Sequence, residues 1–303
     1  MFKHILSVEQ FDRPFLDSIF KSAKDCEHLK NPIFESNQSI MASIFYEVST
    51  RTRMSFESAA LRLGLGVITT EAAAQFSSAA KGETLSDTIR NIHNYCNVIV
   101  LRHPIEGSAA EAARVSNVPI INAGDGPGEH PTQTLTDLYT IQQERGQIDG
   151  LSIAMIGDNK HGRTVHSLAK ALVLYNSKAI YFVSPDSLRV PPNILQYLAD
   201  HGIKAIETTS MDDVISKVDV AYMTRIQKER FSSKAKYEKV KGSYVFRPEH
   251  LEMMPEGAIL MHPLPRVNEI SEDCDHSPKA AYFRQSANGV PVRMAILRYL
   301  LGK

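Results

Sequence analysis

Several short segments of this chain concentrate side chains that donate hydrogen bonds or carry positive charge. Ser49-Thr50-Arg51-Thr52-Arg53 packs three hydroxyls and two guanidinium groups into five residues, with Glu47 just before them. Hydroxyls donate to oxyanions, and Arg51 can grip two phosphate oxygens at once. Free backbone N–H groups and the positive end of a helix dipole favour an anion at such a turn. The same residues also suit a plain Ser/Thr helix cap beside solvated arginines. The small-residue loop from Gln75 to Leu85 contains Ser77 and Lys81. Such a loop can swing a cation over a ligand, and it suits a mobile surface loop equally well. Arg102 follows the apolar run 98–101. Glycines and Pro127 then shape a tight turn that brings His130 and Gln133 to a helix start. A neutral imidazole and an amide are suitable donors to a carbonyl oxygen that gains charge. His130 also suits a simple helix cap.

The second half repeats the theme. Arg163 follows Gly157-Asp158-Asn159-Lys160-His161-Gly162, Arg225 and Gln227 follow Met223, and Leu264 lies between Pro263 and Pro265. Arg163 and Arg225 can each clamp a carboxylate, Gln227 adds an amide, and the prolines fix backbone carbonyl directions. Solvated arginines on ordinary loops are the plainer reading of these turns. Asp158 has no second carboxylate at metal-ligand spacing. Neither GxGxxG nor GxxxxGK[ST] occurs. The combined set predicts a site for small polyanions built from donors, without metal or cofactor.

Those residues need rigid elements behind them. Strands are predicted over 40–46, 66–70, 98–101 and 118–122, with helices over 50–63, 84–93 and 108–115. Further strands are predicted over 151–156, 179–183, 204–207, 218–222 and 258–261, with helices over 164–175 and 192–200. Ser7 and Gln10 form a capping-box pair for an N-terminal helix. A long helix over 131–147 lies between the two series, and a last helix is expected over 291–301. Apolar strands alternating with helices imply an α/β fold with two doubly wound parallel sheets. The long helix joins the two domains, and the C-terminal helix packs back on the first. The predicted domains are 1–135 with about 287–303, and 136–286.

At 303 residues, two domains are the expectation. Lys+Arg and Asp+Glu are 34 each, which argues against a basic nucleic-acid or membrane binder. The N-terminus lacks the apolar core of a signal peptide, and no apolar run is long enough to span a bilayer. Cys26, Cys96 and Cys274 are widely spaced, which fits a reducing cytoplasm.

Taken in order, the motifs resemble the aspartate/ornithine carbamoyltransferase family over essentially the full length. They are Ser49-Thr50-Arg51-Thr52-Arg53, Ser77 with Lys81-Gly82-Glu83-Thr84, His130-Pro131-Thr132-Gln133, Gly162-Arg163-Thr164, Arg225-Ile226-Gln227 and His262-Pro263-Leu264-Pro265. The first and third occur across the family, and the last two select its aspartate members. Ornithine members typically carry cysteine where Thr132 and Pro263 stand here.

The resemblance implies transfer of a carbamoyl group from carbamoyl phosphate to L-aspartate, an early step of pyrimidine synthesis. A sibling transferase using another amino acid and a non-catalytic scaffold are the alternatives. It implies that Ser49, Thr50, Arg51 and Thr52 hold the phosphate, with Arg102 also reaching it. Thr52, Arg102 and His130 would polarise the carbamoyl carbonyl. Gln133 and the Leu264 carbonyl, beside Pro265, would hold its nitrogen. Arg163, Arg225 and Gln227 would bind aspartate. Ser77 and Lys81 would come from a neighbouring subunit of a homotrimer, so Lys81 also joins the catalytic set of Arg51, Thr52, Arg102 and His130. Glu47, Arg163 and Arg230 would bridge a closed form. Binding of regulatory chains in a larger assembly is left open by the sequence. Three departures stand out: Val48 where proline is common, Asn268 where aspartate is common, and a lysine-rich 231–241 stretch. The last lacks the acidic residues of the regulated bacterial enzyme, so that enzyme's allostery is not carried over.

Overall fold

Strands buried on both faces need helices on both faces. β1 (Ile40–Phe45), β3 (Val98–His103) and β4 (Ile120–Asp125) are buried along nearly their whole length. β2 (Gly66–Glu71) is partly open. The computed structural model describes residues 2–34, 38–76, 78–231 and 233–302. Its first sheet has the order β2-β1-β3-β4, with every pair parallel. The second comprises β5 (Ser152–Ile156), β6 (Ala179–Val183), β7 (Ala205–Thr208), β8 (Val220–Met223) and β9 (Ile259–Met261). Its order is β7-β6-β5-β8-β9, again all parallel. The chain divides into two compact units, Met1–Leu135 with Asn288–Lys303, and Thr136–Ala287.

Strand order reverses between β1 and β3 in one sheet and between β5 and β8 in the other. In open α/β sheets such switch points leave a crevice at the carboxyl ends of the strands. Each unit has its own core. Ile44, Ile89, Ile99, Leu101 and Ile120 pack together in the first. Ile156, Val183, Met223, Phe246, Leu260 and Tyr282 do so in the second. Each such side chain contributes about 1.5–3 kcal/mol on burial. Among the described residues no helix is long and apolar enough to cross a membrane.

Three element readings are corrected. The last helix is Tyr282–Leu301, with Pro291 inside it. Tyr282, Gln285, Gly289 and Val292 are all buried at helical spacing, so packing extends the helix across a proline that suggests a start. The Ser7–Gln10 capping box is real but closes only the 3-10 turn Val8–Gln10. The first long helix is Arg13–Glu27, capped by Asp12 with proline in its first turn. β3 and β4 also end later than expected, so Arg102 and Asp125 lie within strands.

Candidate functional site

The turn after β1 runs straight into the helix Thr50–Leu63. Ser49 stands at the N-cap position, yet its hydroxyl makes no capping hydrogen bond. The first turn holds Arg51 and Arg53 and no acidic residue. Cations there oppose the helix dipole, an arrangement that a bound anion relieves. Arg53 is engaged by Glu57 at 3.3 Å and Glu71 at 3.1 Å. Arg51 and Thr50 are exposed, Ser49 is half-buried and Thr52 is buried.

Pairing brings the next residues to the same rim. Phe45 lies opposite Arg102, and the Tyr46 N–H donates to the Arg102 carbonyl at 2.9 Å. The Arg102 guanidinium donates to the Ala123 carbonyl at 3.2 Å and lies 3.5 Å from the Glu47 carboxylate. After β4, Asp125 accepts from the N–H groups of Gly107 and Glu129 at 2.9 and 3.0 Å and from Asn122 at 3.1 Å. Gly126 has φ +54°, and a Cβ there would meet the Pro104 carbonyl oxygen at 2.3 Å. Only glycine lets these two turns touch. The result is a buried His130 at the start of the helix Pro131–Arg145, its Nδ1 3.4 Å from the Thr132 hydroxyl. Half-buried Gln133 donates its N–H to the His130 carbonyl at 3.0 Å. Lys81 is exposed at the end of the 3-10 segment Ser78–Lys81. Ser77 lies outside the described residues.

In the second unit a glycine again joins two turns. Gly157 has φ +123°, and a Cβ would meet the Thr224 carbonyl oxygen at 2.3 Å. The Asp158 N–H donates to the Thr224 hydroxyl at 3.2 Å. The segments after β5 and β8 are thereby clasped. Arg163 opens the helix Arg163–Ala171, whose first turn also carries no acid. Arg225 and Gln227 are half-buried beyond β8. Arg225 shares a hollow with Tyr237, Lys241, Tyr244 and Asn268. Arg230 ends the 3-10 turn Lys228–Arg230. Buried Asp158 accepts from the His161 N–H at 3.0 Å, with the ring Nδ1 3.1 Å away, so it builds the turn. Beyond β9, His262 is buried, Leu264 has φ +57°, and the Leu264–Pro265 peptide is cis. Pro265 itself is exposed.

The carbamoyl-P binding domain model of the aspartate/ornithine carbamoyltransferases matches residues 3–143, and their Asp/Orn binding domain model matches 149–300. The chain belongs to the aspartate/ornithine carbamoyltransferase family. Within it, the chain is similar to the aspartate carbamoyltransferase catalytic subunit of Methanocaldococcus jannaschii. The two are 52% identical over 302 residues, covering 99% of this chain and 98% of that one. A solved structure of the M. jannaschii aspartate transcarbamoylase catalytic subunit matches with TM-score 0.91 at 51% identity, over 99% and 98% of the chains. Aspartate transcarbamoylase from Trypanosoma cruzi, solved with carbamoyl phosphate and aspartate, matches with TM-score 0.90 at 41% identity, over 97% and 95%.

Each sheet of this carbamoyltransferase-family chain offers its own rim. Residues 49–52, 102, 130 and 133 follow or end β1, β3 and β4, and residues 163, 225, 227 and 264 follow β5, β8 and β9. Sequence reading missed the residues that hold these side chains in place. Burial keeps the His103 pKa below the ordinary histidine value, and its Nδ1 accepts from the Ile105 N–H at 3.2 Å, so it shapes the turn after β3. Asp137 is buried, accepting from the Tyr222 hydroxyl at 2.8 Å and the Gln285 amide at 2.7 Å. A single carboxylate in the otherwise uncharged stretch 131–143 is the available signal, because buried charge must be paired.

Proposed function

We propose that this chain transfers the carbamoyl group of carbamoyl phosphate to the amine of L-aspartate, yielding N-carbamoyl-L-aspartate and phosphate. The reading is carried by two donor-lined switch points in a chain 52% identical to an aspartate carbamoyltransferase catalytic subunit. The Ser49–Thr52 turn, with Arg51 and Arg102, takes the phosphate. Thr52, Arg102 and His130 donate toward the carbamoyl oxygen, and Gln133 and the Leu264 carbonyl hold its nitrogen. Arg163, Arg225 and Gln227 take the carboxylates of aspartate. The neutral amine attacks the carbamoyl carbon. A C–N bond forms, negative charge collects on oxygen, and the C–O bond to phosphate then breaks. The departing phosphate takes the amine proton. Each oxyanion donor in such a site is worth about 2.7–4 kcal/mol. Fixing both anions is the other large contribution, and it explains the density of cations.

The assembly is a homotrimer in which Ser77 and Lys81 serve a neighbour's site; an exposed lysine on a short 3-10 segment is free to reach outward. We place the protein in the reducing cytoplasm. Its cysteines are free and buried, and burial pushes the Cys96 and Cys274 thiols up to about 11. The test is direct: purified chain with carbamoyl phosphate and a panel of amine acceptors. Product with L-aspartate is expected. Turnover with ornithine but not aspartate would reassign it to a sibling, and no turnover with any amine would favour a scaffold. Native mass of the protein from its own cells reads the trimer and any regulatory chains with it.

A further inference from the structure

A backbone carbonyl has no side chain to aim it, so its direction depends on what fixes the local chain. Leu264 sits at φ +57°, where a residue with a side chain rarely rests without support. Its N–H donates to His262 Nδ1 at 2.7 Å. Nδ1 therefore carries no proton, and the imidazole is the neutral tautomer protonated at Nε2. Nε2–H donates to the Glu269 carboxylate at 2.8 Å. Both side chains are almost wholly buried, at 1% and 8% exposed. Glu269 also collects the N–H groups of Val267 at 3.1 Å and Asn268 at 3.2 Å. From the opposite side, the His262 N–H donates to Gln285 at 2.8 Å, and Gln285 donates to Asp137 at 2.7 Å. The Leu264 turn thus ends a buried polar chain whose members are all satisfied. Networks of this kind hold a site rigid.

The geometry points to His262 as a positioning residue that, oriented by Glu269 and Gln285, fixes the Leu264 backbone and so aims the Leu264 carbonyl. It acts through Leu264. This rests on the reading above that the carbonyl holds the carbamoyl nitrogen.

Two variants separate positioning from packing. An asparagine oxygen can take the place of Nδ1, since Asn side chains accept from the N–H two residues on. His262→Asn therefore keeps the acceptor for Leu264 and drops the donor to Glu269. His262→Gln reaches Glu269 and drops the acceptor. Three readouts are taken on the full chain: kcat, inhibition by inorganic phosphate, and amide hydrogen exchange at Leu264. His262→Gln is expected to lose kcat roughly a hundredfold, the scale of a small misplacement of reacting groups. His262→Asn should stay within about tenfold of the parent, as expected when the backbone geometry is kept. Phosphate inhibition should be unchanged in both. The Leu264 amide should exchange at least about tenfold faster in His262→Gln only, as lost protection would require. Equal losses in the two variants, unfolding of both, or an unchanged Leu264 amide in His262→Gln would overturn the proposal. If the parent itself fails to carbamoylate aspartate while the amide follows the expected order, the functional reading fails and the positioning role stands.

Discussion

Arg102→Met separates the chemistry of the first unit from its stability. Methionine keeps an unbranched apolar stem and removes the guanidinium. The structure shows what stability this costs. One N–H···O bond to Ala123 is lost, worth about 0.5–1.5 kcal/mol. A part-exposed ion pair to Glu47 at 3.5 Å is lost as well, worth about 0.2–1 kcal/mol. Together that is about 0.7–2.5 kcal/mol, or a fall of a few degrees in melting midpoint at this chain size. Catalysis should lose far more. If Arg102 donates to the oxygen that gains charge, its removal costs about 2.7–4 kcal/mol of barrier, or roughly 10²–10³ in kcat. The assay is initial-rate formation of carbamoyl aspartate at saturating substrates, beside a thermal melt of the same preparation. The two quantities should part company: a large loss of turnover in a protein that still folds. A kcat within tenfold of the parent refutes the oxyanion role. A melt so depressed that lost activity follows the unfolded fraction refutes the separation itself.

Three further outcomes are expected. Lys81→Ala and Arg51→Ala, each inactive alone, should regain some turnover when mixed, dissociated and reassembled; no recovery in confirmed mixed trimers would mean that each site is built from one chain. Tyr222→Phe should destabilise the protein by about 1.5–3 kcal/mol in urea unfolding, because the buried Asp137 carboxylate loses a donor; a change near zero would show that this bond contributes nothing. Glu269 bears on pH dependence. Burial alone would raise its pKa, but the hydrogen bonds from His262 and the Val267 N–H outweigh it and hold it below the usual carboxylate range. A depressed folded value gives stability that is present above the unfolded pKa of about 4.3 and is lost as pH falls through the folded value. Glu269→Gln should therefore flatten the fall of the melting point on the acid side; identical acid limbs in both proteins would reject this.

Much of the fold was legible because it is local. Strand β6 and the helices over 50–63, 108–115 and 192–200 begin and end where apolar period, caps and prolines put them. The turns at Thr50 and Arg163 stood out because arginines, with hydroxyls at the first, fall where a strand meets a helix N-terminus, which favours an anion. The reading failed where packing outvoted a local signal. Pro291 marks a helix start in isolation, yet buried Tyr282 and Gln285 carry the helix well before it.

The sequence by itself determined the α/β class, the two series of strands and helices, and the identity of the donor side chains at strand ends. Each follows from period, propensity and residue chemistry within a few positions. Tertiary structure alone decided which of them share a rim. Phe45 lies opposite Arg102 because β1 pairs with β3 in one register, and register is a contact between distant segments. Gly126 and Gly157 are ordinary loop glycines in sequence; only in the folded chain do they prove to be the places where two turns touch. The buried partners of His262, Asp137 and Asp125 were hidden for the same reason. A polar group taken from water must find its partner in space, and the sequence does not say which distant residue will be there.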